Sequence, residues 1–290
     1  MGGPTPRPAV LPLRYPFHMV QEVADYRAEG ILLAGAGRAI LLQLANPAIG
    51  RGVAAHSIFT ERPVNRLKGT LTYVYAVVYG TDEQVHEVRR RVNRAHAPVR
   101  RIPDESSAGY SAFDPALQLW VAATLYDTAL TVIEKIYGPL DEAAADAMYR
   151  DYARLGTALQ VPPAMWPADR AAFGRYWQEQ LAALRVEAEG AQVGRGLLYP
   201  ENTAFWYRAM MPSARFLTAG LLPGQLRKDF GLAWSDRHER RFNLTMRVLA
   251  VAYPKLPRGT RHWFKDYCLG ELDKDLHGNG RLQQRQGSRA

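Results

Sequence analysis

The chain has 290 residues, of which 47% are hydrophobic and 22% charged, a balance typical of a globular protein with a sizeable core. This composition excludes an intrinsically disordered chain. A single cysteine, Cys268, excludes an intramolecular disulfide and any cysteine-based zinc or iron–sulfur site, which fits a reducing cytoplasm. The net charge of +9 would suit an anionic partner, but mildly basic surfaces are common, so we do not expect nucleic-acid binding.

The two ends of the chain differ from its body. Residues 1–18 are rich in proline and lack a continuous apolar stretch, which predicts an extended segment rather than a signal peptide or membrane anchor. The most apolar segment, residues 31–45, is interrupted by two glycines and an arginine and is shorter than the ~20 residues of a transmembrane helix. We therefore expect a cytoplasmic protein with no transmembrane segment. The composition of residues 278–290 predicts a basic, disordered tail.

Residues 19–277 carry apolar side chains at helical spacing almost throughout, which predicts one all-α domain of about ten helices. The predicted helices, in chain order, cover residues 19–29, 31–45, 64–79, 81–101, 116–137, 141–155, 169–187, 202–220, 235–251 and 258–267. Residues 47–63, which include Gly50 and Gly52, predict a loop. No glycine-rich phosphate loop follows a strand, so a dinucleotide-binding fold is not expected. A core of this size could enclose a large prosthetic group.

Seven histidines are the natural candidates for metal or haem ligation. His86 and His96 share a predicted helix but lie about 15 Å apart along its axis, so they would not bind one ion together. No two histidines are spaced i,i+4, and a helical zinc pair is therefore not expected. His96 has the most suggestive neighbours, because Ala95 and Ala97 would let a flat macrocycle approach its imidazole.

The predicted helix around His96 would also supply a haem environment. Val92 and Val99 share its face and would pack on a porphyrin, and Arg100 would reach a haem propionate. The alternative is a partly buried histidine that hydrogen-bonds a carbonyl oxygen.

A second candidate pair is Arg66 and Thr70, which lie one helical turn apart on the predicted helix 64–79. They could present a guanidinium and a hydroxyl to one pocket and stabilise bound dioxygen. The alternative is an exposed arginine beside a threonine that bonds its own helix backbone.

Four sequence blocks in order resemble the MpaB-type oxygenase family, to which the bacterial latex-clearing rubber oxygenases belong. They are residues 35–47, with the sequence GAGRAILLQLANP, and residues 66–73, 96–100 and 110–121. The resemblance implies an all-α, latex-clearing-protein-like fold that encloses a b-type haem. It also implies that His96 is the proximal iron ligand and that Arg66 and Thr70 lie on the distal side.

The chain departs from this family's pattern at two places. In the rubber-cleaving members a lysine precedes the distal threonine and can occupy the sixth iron position, whereas Gly69 stands there here and would leave that side open. Lys68 is adjacent but points about 100° away around the helix. The absence of a lysine at position 69 argues against rubber cleavage. Asn46 stands where relatives commonly have histidine.

These observations predict a haem-dependent oxygenase or oxidoreductase that uses dioxygen, an electron donor the sequence does not identify, and a small apolar, isoprenoid- or polyketide-like substrate. Two alternatives stay open: a non-catalytic haem-binding or haem-sensing protein, and a haem-free helical protein that binds another ligand. A distal acid or base would separate catalysis from binding, and His56 and Glu61 are the candidates.

Overall fold

The computed structural model describes residues 23–56, 63–103, 109–201 and 203–287. Within these residues the chain forms thirteen α-helices and one short two-stranded sheet, which confirms the predicted all-α fold. Residues 1–22 contain the predicted extended segment, which therefore lies outside the described residues.

The elements follow one another with short connections. The helices are α1 (Val23–Ala28), α2 (Ala36–Leu44), α3 (Pro47–Ala55), α4 (Pro63–Tyr79), α5 (Asp82–His96), α6 (Pro115–Tyr137), α7 (Glu142–Thr157), α8 (Arg170–Ala183), α9 (Ala188–Leu198), α10 (Phe205–Leu221), α11 (Gly224–Asp229), α12 (Asp236–Ala252) and α13 (Arg258–Gly287). Short 3-10 helices cover Gly30–Gly35, Pro163–Met165 and Tyr253–Lys255. Strands β1 (Arg100–Arg101) and β2 (Tyr110–Ser111) pair antiparallel, with Arg100 opposite Ser111.

Polar side chains fix where several helices begin. Thr81 accepts a hydrogen bond from the Gln84 amide at the start of α5, and the Gln84 side chain accepts one from the Thr81 amide in return. Asp114 caps α6 and is followed by Pro115 at the first helical position. Such caps satisfy amides that would otherwise have no partner inside the helix.

The structure contains a helix, α3, where the sequence predicted a loop. Gly50 and Gly52 weakened the helical pattern, but both glycines allow close packing. A Cβ atom at Gly50 would lie 2.9 Å from the Leu44 carbonyl oxygen and 3.3 Å from the Cα of Gly190 on α9. A glycine is therefore needed at Gly50, because the backbones of α3 and α9 touch there. Helix α9 lies between the predicted helices 169–187 and 202–220, in residues for which no helix was predicted.

The close backbone contact between α3 and α9 leads to a prediction for Gly190. Its Cβ would lie 2.5 Å from the Leu44 carbonyl oxygen, so Gly190→Ala should force the helices apart and lower the free energy of unfolding by roughly 1–3 kcal/mol. Gly174→Ala is the matched control, because nothing lies within 4 Å of its Cβ position on α8. We expect the control to gain ~0.5–1 kcal/mol from helix propensity. Urea unfolding measures both, and equal midpoints would contradict the packing argument.

Other helix boundaries also differ from the prediction. The predicted helix 31–45 divides into a 3-10 helix and α2, and α5 ends at His96, two residues before Pro98, which has no backbone N–H to continue the helix. Helix α13 continues to Gly287 instead of ending at residue 267, so its backbone extends through much of the segment that the sequence assigned to a tail.

The centre of the molecule is α6, which packs against α2, α7 and α12. Its indole at Trp120 is 1% exposed, donates to the Leu42 carbonyl oxygen at 3.2 Å and stacks on Trp177 at 5.1 Å. Among the described residues, α6 is long and apolar enough to cross a membrane, but 61% of its most apolar window is buried inside the protein. A core helix passes the same test. The bent pair Gly30–Leu44 and Pro47–Ala55 passes only if counted as one span.

Candidate functional site

His96 is the last residue of α5, at the point where the chain turns towards β1. Its ring packs edge-on against Phe113, with 6.3 Å between the ring centroids. The side chain is partly buried, and its Nδ1 atom is buried with no hydrogen-bond partner among the residues that the structure describes. The alternative interpretation is a histidine that hydrogen-bonds a carbonyl oxygen. In the described part of the chain, no carbonyl oxygen bonds Nδ1. The buried polar atom leaves capacity for a ligand.

The electrostatic surroundings of His96 favour its neutral form. Burial lowers the pKa of the imidazole, and the positive charge of Arg66 lowers it further. The Coulombic effect shows that α4 and α5 bring the two predicted residues to the same region. A neutral imidazole is the form that binds a metal, so the residues present fit a haem iron.

The first two turns of α4 present the other candidates to open space. Arg66, Gly69 and Thr70 are all exposed, and no atom lies within 4 Å of the position that a Cβ of Gly69 would take. Burial of its guanidinium lowers the pKa of Arg66, although much of the side chain remains open to solvent. The Thr70 hydroxyl makes no hydrogen bond to a described residue, whereas Thr72 bonds the Lys68 carbonyl oxygen at 2.8 Å.

Lys68 faces a different helix from its neighbour Gly69. Its ammonium donates to the Tyr267 hydroxyl at 3.1 Å and lies 3.6 Å from Glu271, both on α13. The Tyr267 hydrogen bond raises the pKa of Lys68, with a smaller contribution from Glu271. The side chain is thus held away from the Arg66 and Thr70 face, as the helical angle predicted.

The other residues predicted around His96 are arranged differently from the expectation. Val99 and Arg100 follow the end of α5, so the argument that placed them on the helical face of His96 is wrong. Val99 instead faces Gly52, with 3.6 Å between its Cγ1 and the Cβ position of the glycine, and Arg100 is an exposed residue of β1. Val92 does lie on α5 and packs against the main hydrophobic core.

A second histidine, His56, lies near this site although its geometry was not predicted. It follows α3, and its ring packs edge-on against Tyr110 of β2, with 6.2 Å between centroids. Its Nε2 atom is buried without a hydrogen-bond partner among the described residues. Tyr110 also contacts Gly52, and Ala112 donates a backbone hydrogen bond to Val99, which links His56 to the His96 turn. Glu61, the other predicted acid or base, lies outside the described residues.

The glycine-rich block at residues 35–47 holds helices together. Arg38 is 5% exposed and donates to the Leu221 carbonyl oxygen at 2.9 Å, to Thr128 Oγ1 at 2.7 Å and to Asp127 Oδ2 at 2.5 Å. Burial raises the pKa of Asp127, and Arg38 opposes that rise. The block thereby fixes α2 against α6 and α10.

The last residues of this block end α2 and begin α3. Asn46 Oδ1 accepts hydrogen bonds from the amides of Ala48 and Ile49, at 3.1 and 3.3 Å. Asn46 is thus the N-cap of α3.

Two further features of the structure bear on cofactor binding. The described residues contain no group of three or more histidine, cysteine, aspartate or glutamate side chains that could hold a metal ion. A haem iron needs only one such ligand, because the porphyrin supplies four nitrogens. A cleft of about 350 Å³ lies between the end of α9 and the start of α10, and none of the candidate residues lines it.

The chain was compared with known proteins. A family model described as "ER-bound oxygenase mpaB/B'/Rubber oxygenase, catalytic domain" matches residues 24–251. An uncharacterized protein of Mycobacterium tuberculosis and one of Mycobacterium bovis are each 38% identical to the chain over 235 residues, covering 79% of this chain and 91% of the relative. No solved structure matches it at a significant level. The family match includes every candidate residue from Arg66 to Arg100.

Proposed function

Because this chain belongs to the family of mpaB-type and rubber oxygenases and carries their catalytic domain, we propose that it is a haem b-dependent oxygenase acting on a small apolar substrate. The observation that supports this proposal most directly is the pairing of His96 with the first turns of α4. The partly buried imidazole has its pKa lowered by burial and by the Arg66 charge, and its Nδ1 atom is buried without a hydrogen-bond partner among the described residues.

In this proposal His96 would hold the haem by bonding the iron through its imidazole. When bound, the haem would supply the one-electron and dioxygen chemistry that ordinary side chains lack. Arg66 and Thr70 donate hydrogen bonds from a guanidinium and a hydroxyl, which orient dioxygen on the side that Gly69 leaves open. His56, whose Nε2 atom is buried without a hydrogen-bond partner among the described residues, would hold or pass a proton through that atom.

The apolar character of the substrate is suggested by the same two turns of α4. Val64 and Leu67 are 42% and 36% exposed beside Arg66, so they offer aliphatic contacts at the mouth of the site. An isoprenoid- or polyketide-like molecule would suit such a wall. Rubber cleavage is not proposed, because Gly69 stands where the rubber-cleaving relatives carry a lysine.

Dioxygen uptake by the haem-loaded protein, with ascorbate and squalene as an isoprenoid probe, tests the catalytic role. We expect Arg66→Ala and Thr70→Ala to keep the haem content of the wild type but to lower the turnover rate by about tenfold to a thousandfold, since each removes a donor to dioxygen. Asn65→Ala is the matched control on an exposed neighbouring position and should retain turnover.

Two results would contradict the proposal. A wild type that binds haem but consumes no dioxygen with any apolar probe would favour the binding or sensing alternative. A wild type that binds no haem at all would favour the haem-free alternative.

A further inference from the structure

Helix α12 has two apolar faces, and only one of them is buried. Phe242, Met246 and Ala250 are at most 7% exposed and form the inner face, which packs towards α6 and α10. Leu244, Val248 and Val251 are 60%, 57% and 54% exposed. At 100° per residue this outer stripe lies about 180° from the inner one. The outer stripe is therefore an unpartnered apolar surface on the described part of the protein.

Arginines lie beside and in line with the outer stripe: Arg240 and Arg247 border it along one side, and Arg237 lies two turns before Leu244 on the same face. Arg237, Arg240 and Arg247 are exposed on α12, and none of them forms an ion pair with a residue that the structure describes. The two acidic residues of α12, Asp236 and Glu239, both lie in its first turn. The rest of the outer face is therefore an aliphatic stripe with positive charge along one side and at its N-terminal end.

From this arrangement we propose that the outer face of α12 binds the surface of an anionic phospholipid bilayer. Leucine and valine side chains would enter the boundary between headgroups and acyl chains, while the guanidiniums bond lipid phosphates. The proposal is independent of haem binding and of turnover.

Other occupants fit the charges and the stripe less well. A second copy docked about a two-fold axis would place like-charged arginines against each other. A nucleic acid would meet the arginines but would leave the central aliphatic stripe against a polar backbone. An anionic bilayer satisfies both parts of the surface.

Vesicle co-sedimentation of the full chain at about 0.15 M salt tests the proposal. We expect binding to vesicles of phosphatidylcholine with 30% phosphatidylglycerol, and none to phosphatidylcholine alone. Leu244→Asp with Val248→Asp should abolish binding. Arg237→Gln, Arg240→Gln and Arg247→Gln combined should weaken it at least tenfold.

The matched control removes three exposed arginines from other helices, by Arg150→Gln, Arg175→Gln and Arg195→Gln, and should bind within about twofold of the wild type. Thermal unfolding would verify that each variant is folded. The proposal is overturned if the control weakens binding as much as the α12 triple variant, which would reveal a net-charge effect. It is also overturned if the Asp variant still binds, if an oligonucleotide binds the wild type more tightly than vesicles do, or if the Asp variant converts a dimer to a monomer.

Discussion

Replacing His96 with alanine should abolish haem binding and leave the helical fold intact. His96 is the only residue proposed to bond the iron, and it ends α5, so its removal leaves no buried charge and interrupts no helix. The absorption spectrum of protein expressed with ample haem measures the effect. We expect an intense Soret band for the wild type and no band for His96→Ala, at equal protein concentration and with an unchanged far-ultraviolet circular dichroism spectrum.

His86→Ala is the control for this experiment. His86 lies on the same helix, ten residues earlier, and is exposed to solvent. The control should carry as much haem as the wild type. A Soret band that persists in His96→Ala at wild-type intensity would remove His96 from the proposal and direct attention to His56, whose Nε2 atom is also buried without a hydrogen-bond partner among the described residues.

The second large effect concerns stability and arises from the buried arginine in the glycine-rich block. Arg38→Met should lower the free energy of unfolding by ~3–5 kcal/mol, because it leaves Asp127 in a mostly buried position without its cation. Urea unfolding at neutral pH measures this loss. Arg91→Met is the control: the Arg91 side chain is 40% exposed and pairs with Glu87 and Asp275, and Glu87 keeps its pair with Arg90, so the loss should cost under ~1 kcal/mol.

The pH dependence of this variant has a definite sign. Burial already raises the pKa of Asp127, and removing Arg38 removes the group that opposes that rise. A carboxyl group whose pKa is higher in the folded state destabilises the fold above that pKa, and the penalty is relieved as the pH falls through it. The defect should therefore shrink at acidic pH, and Arg38→Met with Asp127→Asn should be more stable than Arg38→Met alone. If the double variant is no more stable than the single one, the ion pair is not the cause.

The sequence predicted the helical hairpin that carries the site because the signals are local. Thr81 and Gln84 cap α5, Gly80 separates it from α4, and these boundaries bring Arg66 and His96 to the same end of the hairpin. The spacing of Arg66, Gly69 and Thr70 on one exposed surface also followed from helical periodicity alone. The family match extends over the same residues.

What the sequence did not reveal depends on contacts between distant segments. Gly50 reads as a helix breaker until Gly190 is placed against it. Arg38 reads as part of a motif, but its partners at Leu221 and Asp127 lie 183 and 89 residues away. Val99 and Arg100 were misplaced because a helical pattern was continued through Pro98, a residue that ends it.

Helix α13 supports the hairpin of α4 and α5, although it lies outside the residues that the family model matches. The family match ends at residue 251, and α13 begins at Arg258. Nevertheless Phe264 packs on Tyr75 of α4, Tyr267 bonds Lys68, and the buried Arg261 pairs with Glu29 near the other end of the matched region. The part of the chain that packs together is thus larger than the part that the family model matches, and a chain cut at residue 251 would lose the support of the helix that presents Arg66 and Thr70.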